Sequence, residues 1–240
     1  MSCSFDYGDR RVVSNLDAPT SRQLVDDVLA GALLREKVFR DNWRTLSAKV
    51  RFQDDSLLLK VPRARNGRRW ERFLTRFRES DALRTFRHIE QLSAMGFGTP
   101  EPVLACECRH HGVVVDSFVC YRFVDGRPAG PQDADKILQS LRALHRRGLL
   151  RSDAQLANFL MVRDEVTFID FRLKRPRWLP QLQKAREIDR FLRSCPEARE
   201  CLAPGEASSF WLRLASGMEA ASFGFRNLKR TLRRRKRKTG

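Results

Sequence analysis

The sequence predicts an α+β fold with a β-rich first half and a helical second half. Short segments that alternate apolar and polar residues, as strands do, lie mainly before residue 124. After that point, apolar residues are mostly spaced as on one face of a helix. Because strands and helices are grouped rather than alternating, an α/β chain with a parallel sheet is not expected. We expect an N-terminal lobe over 1–124, a helical C-terminal lobe over 125–224 and a basic tail over 225–240.

The N-terminal lobe is predicted to contain two helical segments and a five-stranded sheet. Apolar residues at helical spacing indicate a first helix over 20–35. The basic amphipathic stretch 68–94 indicates a long helix, or two helices that meet near Ser80 and Asp81. Gly96 and Pro100 are typical of the chain that follows a helix. The strands are expected at 37–40, 48–53, 56–61, 102–109 and 112–124.

The C-terminal lobe is predicted to be mainly helical. One amphipathic helix is expected over 132–147, another beyond Pro180 and a third near 206–222. A short hairpin, with strands at 159–162 and 166–170, is expected between the first two helices. The segment that joins the first helix to this hairpin is irregular and carries the residues discussed below.

The chain is strongly basic, and its charge is unevenly distributed. It holds 47 Lys and Arg against 29 Asp and Glu, which gives a formal net charge of +18. Nineteen basic and six acidic residues lie within 171–240, whereas 101–170 holds nine basic and ten acidic residues. Such an excess predicts a polyanionic partner, namely nucleic acid, anionic lipid or a phosphorylated glycan.

Several classes of protein are not expected. The longest apolar runs are three or four residues, far below the ~20 that a membrane-spanning helix needs. Residues 1–20 contain no apolar stretch typical of a secretory signal, so we expect a cytoplasmic protein. The six cysteines form no CxxC pair, so reduced thiols are favoured over a zinc site.

An ordered set of polar residues points to phosphoryl transfer. Asp153 is followed five residues later by Asn158, and Asp170 comes twelve residues after that within Phe168–Phe171. Such a reaction needs one carboxylate for the attacking hydroxyl, and an amide oxygen with a second carboxylate for Mg²⁺. Lys60 ends an earlier apolar strand, where a lysine can reach nucleotide phosphates. The alternatives are that Asp153 and Asn158 cap a loop, and that Lys60 is a solvated edge lysine.

In order and spacing, these elements resemble the protein-kinase-like fold. In detail the chain resembles the bacterial lipopolysaccharide core heptose kinases, to which the Kdo kinases are related. The resemblance runs from about residue 44 to about 195 and rests on the segments YRFVDGRP, LHRRGLLRSDAQLANFL, TFIDFRLKR and KAREIDRFL. It implies two lobes, a small β-rich N-lobe and a helical C-lobe, and the cofactors ATP and Mg²⁺.

The resemblance also implies roles for individual residues. Asp153 corresponds to the catalytic base that orients the acceptor hydroxyl, and Asn158 and Asp170 correspond to Mg²⁺ ligands. Lys60 corresponds to the lysine that contacts the ATP phosphates. The adenine is expected to meet backbone groups near Tyr121–Val124.

The sequence departs from the pattern of the resembled fold at four points, one of which is that Arg172 replaces the glycine that often follows Asp-Phe. Arg151 stands where many kinases have a histidine, and the hairpin at 42–47 contains no glycine. The helix glutamate that pairs with Lys60 falls near Thr85, so only a shifted alignment brings in Glu79. Without that pair, an inactive kinase-fold scaffold or regulator is an alternative.

The resemblance implies an ATP-dependent kinase for a sugar hydroxyl in the lipopolysaccharide inner core, and heptose is the expected sugar. Expected partners are the core glycolipid and the anionic surface of the inner membrane, with the protein peripheral at the inner face of the cytoplasmic membrane. Eight basic groups within Lys229–Lys238 suit a lipid anchor, and a solubilising tail is the alternative. The basic block 61–78 suits a phosphorylated acceptor, or is a solvated helix face. A nucleic-acid-binding protein is a weaker alternative, resting on charge alone, and no specific nucleic acid is expected.

Overall fold

The computed structural model describes residues 2–63 and 73–222, which fall into two compact units. The first unit comprises Met1–Gly126 with Thr167–Ile169, and the second comprises Arg127–Val166 with Asp170–Gly240. Residues 64–72, which are half of the basic block 61–78, and the whole tail 225–240 lie outside the described residues.

The first unit is built on a seven-stranded sheet in which every neighbouring pair is antiparallel. The strand order is β1-β2-β6-β7-β5-β4-β3. The strands are β1 (Cys3–Tyr7), β2 (Arg10–Ser14), β3 (Leu34–Asp41), β4 (Leu46–Phe52), β5 (Asp55–Val61), β6 (Pro102–His110) and β7 (Val113–Arg122).

Two helices whose residues are all described by the structure accompany this sheet, and polar side chains define where they begin. Helix α1 (Ala18–Ala30) is capped by Asp17, whose carboxylate accepts from the backbone N–H of Thr20 at 2.9 Å. It ends at Gly31, whose left-handed backbone, with φ of 67°, suits glycine. Helix α2 (Asp81–Ala94) is capped in the same way by Ser80 and packs on β6 and β7.

The main core of the first unit lies between α1 and the sheet. Apolar side chains at alternate positions of the strands point to one face, where they meet the buried face of α1. Fully buried members include Val12, Leu24, Val25, Ala48, Val50, Leu104, Cys106 and Cys120. This packing fixes the register of β5 and therefore the position of Lys60 at its end.

The second unit is mainly helical. Its helices are α3 (Ala134–Arg146), α4 (Pro180–Ser194) and α5, which covers 210–222. A small sheet has the order β10-β9-β8, formed by β8 (Arg127–Pro128), β9 (Phe159–Val162) and β10 (Glu165–Phe168). The last residues of β10 belong to the first unit, so the chain leaves the second unit briefly before Asp170.

The grouping of strands before helices confirms the predicted α+β class, but the strand count was too low. The sheet of the first unit has seven strands instead of five, because β1 and β2 were not predicted. Each is only five residues long, and β1 is mostly exposed, so neither shows a long apolar alternation. The predicted first helix also ran too far, since Gly31 ends α1 and the chain then enters β3.

No helix in the described part of the chain is long and apolar enough to cross a bilayer. All six cysteines are free thiols. Burial raises the pKa of the Cys106 thiol to about 12 and that of the Cys108 thiol to about 11, so both are protonated at neutral pH.

Candidate active site

The predicted catalytic base Asp153 and the predicted Mg²⁺ ligand Asn158 lie in a loop between α3 and β9. At its start, the backbone of Leu150 exchanges two hydrogen bonds of 2.8 Å with that of Lys174. The backbone of Arg151 also accepts from the N–H of Arg172 at 3.1 Å. The segment after Asp170 therefore runs beside the start of the loop and is tied to it by backbone bonds.

A buried glutamate on α4 holds the loop in place. One oxygen of Glu187 accepts from the backbone N–H groups of Arg151 at 2.8 Å and Ser152 at 3.0 Å. The other oxygen lies 2.7 Å from Nε2 of His145 on α3. Ser152 has a φ of 75°, an unusual value for a residue with a side chain. A single carboxylate thus connects α3, the strained turn before Asp153, and α4.

The guanidinium of Arg151 lies beneath the loop and is fully buried, with an exposed fraction of 0%. It stacks over the Phe159 ring at 4.3 Å and donates to the backbone oxygen of Asn158 at 3.3 Å. Burial lowers the pKa of Arg151 to about 10, while the nearby charges of Glu187, Asp153 and Asp170 act in the opposite direction. Asp153 and Asp170 are thus both within electrostatic reach of one buried cation.

Asp153 is half-exposed, and its carboxylate is paired with α4. Its Oδ1 lies 2.6 Å from Nε of Arg190, and the two side chains are 43% and 42% exposed. The backbone oxygen of Asp153 accepts from the backbone N–H of Gln155 and from Nδ2 of Asn158, both at 3.0 Å. The loop from Asp153 to Asn158 is therefore closed on itself by hydrogen bonds.

Asn158 and Asp170 provide oxygen atoms of the kind that Mg²⁺ prefers. Because Nδ2 of Asn158 donates to Asp153, the side-chain orientation is fixed and Oδ1 is the atom suited to a metal. Asp170 follows β10 and has a φ of 49°, which is again unusual for a residue with a side chain. Among the described residues, no group of three or more His, Cys, Asp or Glu side chains is arranged for a metal. The pair fits a cation whose remaining ligands are phosphate and water oxygens.

Lys60 belongs to the first unit, where it lies near the end of β5. It pairs with Ser47 on β4 and with Val119 on β7. Strand β5 therefore has neighbours on both sides, and the alternative that Lys60 is an edge lysine is wrong.

The shifted alignment that would place Glu79 on the long helix is also wrong. Glu79 precedes Ser80, the residue that caps α2, and its carboxylate is 2.7 Å from the guanidinium of Arg87. Thr85 does lie on α2, as expected, and its hydroxyl donates to the backbone oxygen of Asp81 at 2.8 Å.

The segment Tyr121–Val124 follows the end of β7 in the first unit. The N–H of Phe123 donates to the backbone oxygen of Ser56 at 2.8 Å, which continues the pairing with β5. The Phe123 ring stacks on Phe39 at 6.0 Å, and Nζ of Lys49 lies 4.9 Å from its centre. The side chain of Phe123 is therefore already committed within the first unit.

Two residues of the site were missed by the sequence reasoning, Glu187 and Arg190. Glu187 carried a readable signal, because it lies four residues before Phe191, which is buried on the same face of α4. A carboxylate on a buried helix face needs a hydrogen-bonding partner. Arg190 carried no comparable signal, since an arginine on a mostly polar face is ordinary.

Comparisons with known proteins bear on the family and on the fold. The family model described as lipopolysaccharide core biosynthesis protein (WaaY) matches residues 7–193. A search of curated proteins found no match. The solved structure of WaaP in complex with acyl carrier protein is similar to this chain, with 17% identity and a TM-score of 0.53. That alignment covers 77% of this chain and 80% of the other.

More distant similarity is found to the Mycobacterium tuberculosis PknI kinase domain. Two structures of it are 16% and 18% identical to this chain, with TM-scores of 0.40 and 0.36. They cover 68% and 58% of this chain, and 75% and 58% of their own chains are matched. The predicted α+β, protein-kinase-like fold is confirmed, with a β-rich part followed by a helical part.

Proposed function

Because the chain belongs to the lipopolysaccharide core biosynthesis protein (WaaY) family, we propose that it is a kinase of the lipopolysaccharide inner core. In this proposal it transfers a phosphoryl group from ATP to a sugar hydroxyl, and heptose is the proposed sugar. The protein-kinase-like fold supports this reaction class but does not by itself establish it. The main support is the arrangement of Asp153, Asn158 and Asp170 around the buried Arg151.

Asp153 is the proposed catalytic base. Its carboxylate accepts a hydrogen bond from the attacking sugar hydroxyl and takes the proton as the new P–O bond forms and the bond to the ADP oxygen breaks. Half-exposure of the side chain allows an acceptor to reach it. The hydrogen bonds of the loop and the two N–H bonds to Glu187 keep the backbone of Asp153 in a fixed position.

The remaining candidate residues are assigned to the nucleotide. We assign Asn158 Oδ1 and the Asp170 carboxylate as Mg²⁺ ligands and Lys60 as a contact of the ATP phosphates. When bound, Mg²⁺ neutralises charge that develops on the phosphate oxygens. The backbone near Tyr121–Val124 is assigned to the adenine. The positive charge of Arg151 lies within electrostatic reach of both Asp153 and Asp170 and offsets part of the repulsion between the two carboxylates.

We also propose that the protein acts as a peripheral protein at the inner face of the cytoplasmic membrane. Helix α5 exposes Phe210, Leu214 and Met218, with exposed fractions of 67%, 37% and 43%. A spacing of four places them along one side of the helix, while Leu212 and Ala215 are buried on another side. An apolar stripe of this kind is typical of helices that lie on a membrane surface.

The sequence that follows α5 supports the same location. Apolar residues continue at similar spacing at Phe225, Leu228 and Leu232, and the segment after 222 holds nine Lys and Arg and no acid. Each basic residue near an anionic bilayer contributes about 1 kcal/mol to binding. The core glycolipid and the anionic inner-membrane surface are therefore the proposed partners.

Transfer of labelled phosphate from ATP to dephosphorylated core glycolipid tests the proposed reaction. We expect transfer by the full-length protein and a loss of at least ~10²-fold in Asp153→Asn, which keeps the side-chain shape but removes the base. Arg213→Gln, a change at an exposed residue of α5, is the matched control and should retain activity.

Nucleotide binding separates the kinase from its alternatives. ATP with Mg²⁺ should raise the melting temperature of the full-length protein. The Asp170→Asn variant should lose the portion of this increase that depends on Mg²⁺. No response to nucleotide and no transfer would favour an inactive kinase-fold scaffold or regulator. Tight duplex binding with a steep salt dependence and no nucleotide effect would favour a nucleic-acid-binding protein.

A further inference from the structure

A polar cavity of about 230 Å³ lies within the second unit, beside the loop that carries Asp153. Four cationic side chains and two carboxylates line it: Lys174, Arg186, Arg190, Arg193, Glu187 and Glu219. The hydroxyl-bearing Ser152, which directly precedes Asp153, also contributes to its wall. The cavity is several times the ~30 Å³ that a water molecule occupies in the liquid. It is therefore large enough for a group with several oxygen atoms.

The three arginines face the cavity because of their spacing on α4. Arg190 is four residues after Arg186 and three before Arg193, so all three share one side of the helix. Lys174 comes from a different segment, the stretch after Asp170 that is bonded to Leu150. Two separate elements thus direct positive charge into the same space.

Most of the other charges at the cavity are already committed to each other. Glu219 pairs with Arg186 at 3.0 Å and lies 3.8 Å from Arg193, which in turn bonds Asp189 at 2.8 Å. Both oxygens of Glu187 are occupied by His145 and by the backbone of the loop. These contacts account for the two carboxylates of the lining.

Lys174 and Arg190 differ from this pattern. Among the residues that the structure describes, Lys174 makes no ion pair, and the ion pair of Arg190 is with Asp153, which does not line the cavity. Arg190 therefore stands between the proposed catalytic base on one side and the cavity on the other. Neither Lys174 nor Arg190 forms a described ion pair with a carboxylate that lines the cavity. Their positive charges can therefore bind an anionic ligand there.

We propose that the cavity is an anion site for a phosphate group and that Arg190 is shared between this anion and Asp153. The inference rests on the proposed function and extends it to the acceptor. A phosphate bound at Lys174 and Arg190 draws the guanidinium away from Asp153. The carboxylate of Asp153 is then released to accept the hydrogen bond of the sugar hydroxyl. Arg190 is accordingly a positioning residue, and it favours acceptors that already carry phosphate.

The energetics favour such an exchange. A half-exposed ion pair contributes little to stability, so separating Arg190 from Asp153 costs little. A phosphate offers three oxygens to the planar guanidinium, which can bind two of them at once, and a further contact to the ammonium of Lys174. The bound anion thus replaces one contact of Arg190 with a stronger one.

Phosphate binding in the absence of ATP tests the anion site independently of catalysis. Full-length protein is titrated with inorganic phosphate and with a sugar phosphate monoester, and its melting temperature is followed. We expect both to stabilise the wild type, and Lys174→Gln and Arg190→Gln to weaken apparent affinity at least ten-fold. Arg213→Gln on α5 is the matched loss of one exposed arginine and should bind as the wild type does. Equal responses in all four proteins would overturn the proposal.

Kinetics test the sharing of Arg190. The wild type should have a higher kcat/KM for a phosphorylated core acceptor than for the same acceptor after phosphatase treatment, and Arg190→Gln should reduce this preference at least ten-fold. Equal preference in wild type and variant would contradict the sharing. Inhibition by inorganic phosphate that competes with the phosphorylated acceptor assigns the site to the acceptor. Activation on the dephosphorylated acceptor assigns it to free phosphate, and either result supports the anion site.

These experiments distinguish failure of the inference from failure of the proposed function. Phosphate binding that depends on Lys174 and Arg190, with no transfer to any acceptor, would contradict the proposed kinase activity but support the anion site. Phosphoryl transfer that neither substitution changes, with no effect of phosphate on the melting temperature, would support the kinase activity and contradict the anion site.

Discussion

Glu187 shows how one side chain can position a loop that is distant in the sequence, in this case the loop that carries Asp153. Its carboxylate serves His145 on α3 and the N–H groups of Arg151 and Ser152, which lie 35 and more residues earlier in the chain. Removal of any one partner of this buried carboxylate leaves polar groups without a hydrogen bond. The orientation of Asp153 therefore depends on a residue that takes no part in the chemistry.

Replacing Glu187 should affect both stability and catalysis. Glu187→Gln retains one acceptor oxygen for the loop amides but turns an amide nitrogen toward His145 or toward those amides. We expect the free energy of unfolding to fall by about 1–3 kcal/mol and kcat to fall more than KM rises. Urea unfolding and steady-state kinetics of the proposed transfer measure the two effects.

The matched control for this prediction is Glu206→Gln. Glu206 also pairs with an arginine, Arg142, but both side chains are partly exposed. Exposed pairs contribute about 0–1 kcal/mol, so this variant should unfold close to the wild type. Equal stability of Glu187→Gln and Glu206→Gln would show that the loop does not depend on the buried carboxylate.

At the scale of elements, a second buried carboxylate anchors α2 to the sheet. Glu107 on β6 accepts from the N–H of Ser80 at 2.9 Å and from Nε of Arg109 at 2.7 Å, and its side chain is fully buried. Burial alone would raise the pKa of Glu107, but the hydrogen bonds of Arg109 and Ser80 outweigh it and lower the pKa. The start of α2 is thus tied to the sheet by a charge.

This contact should make stability depend on acid pH. Because the folded pKa of Glu107 lies below its ordinary value of 4.5, its contribution is fully present above that value and is lost as pH falls through the folded pKa. The wild type should therefore lose melting temperature as pH is lowered from 5 to 3. The Glu107→Gln variant should be less stable than the wild type at neutral pH, and its melting temperature should change less between pH 5 and pH 3. Parallel curves for the two proteins would contradict this origin of the dependence.

The elements could be predicted from sequence where their signals were local. The hydrophobic spacing of 132–147 and 180–191 predicted α3 and α4, and the order Asp153, Asn158 and Asp170 predicted the candidate site. Strands β1 and β2 were not predicted, because they are too short to show a period. Strand β2 also depends on pairing with β6, about 90 residues later, and β1 in turn pairs with β2. The hydrogen bonds from Glu187 to the loop and the ion pair of Arg190 with Asp153 are likewise contacts between segments that are distant in the sequence.

At the scale of the whole molecule, the distribution of charge matters more than its total. The stretch 101–170, which holds Asp153, Asn158 and Asp170, is slightly acidic, which is compatible with the proposed binding of Mg²⁺ there. The excess of positive charge lies mainly in 171–240. The most basic part of that stretch follows α5, the helix with the exposed apolar stripe, in the sequence. We interpret this excess as a means of holding a kinase at an anionic surface rather than as part of its chemistry.

The basic segment should determine membrane binding. Replacing the six basic residues of 233–238 by glutamine should weaken binding to vesicles that contain anionic lipid by several kcal/mol, since each charge contributes about 1 kcal/mol. The melting temperature should change little. Vesicle co-sedimentation at low and high salt measures the effect, and vesicles of neutral lipid are the control.

Two results would contradict a lipid surface as the partner of this segment. One is equal binding of wild type and variant to anionic vesicles. The other is binding to acyl carrier protein, the partner in the WaaP structure, that competes with anionic vesicles and disappears in the variant.

The central claim, that this protein phosphorylates the lipopolysaccharide core through Asp153, is tested most directly by mass spectrometry of core oligosaccharide. Cells that lack the protein are complemented with the wild type or with Asp153→Asn, and the phosphate content of their cores is compared. The account predicts one phosphate fewer per core in cells that carry Asp153→Asn, as in cells that lack the protein altogether. The same phosphate count in all three strains would contradict it.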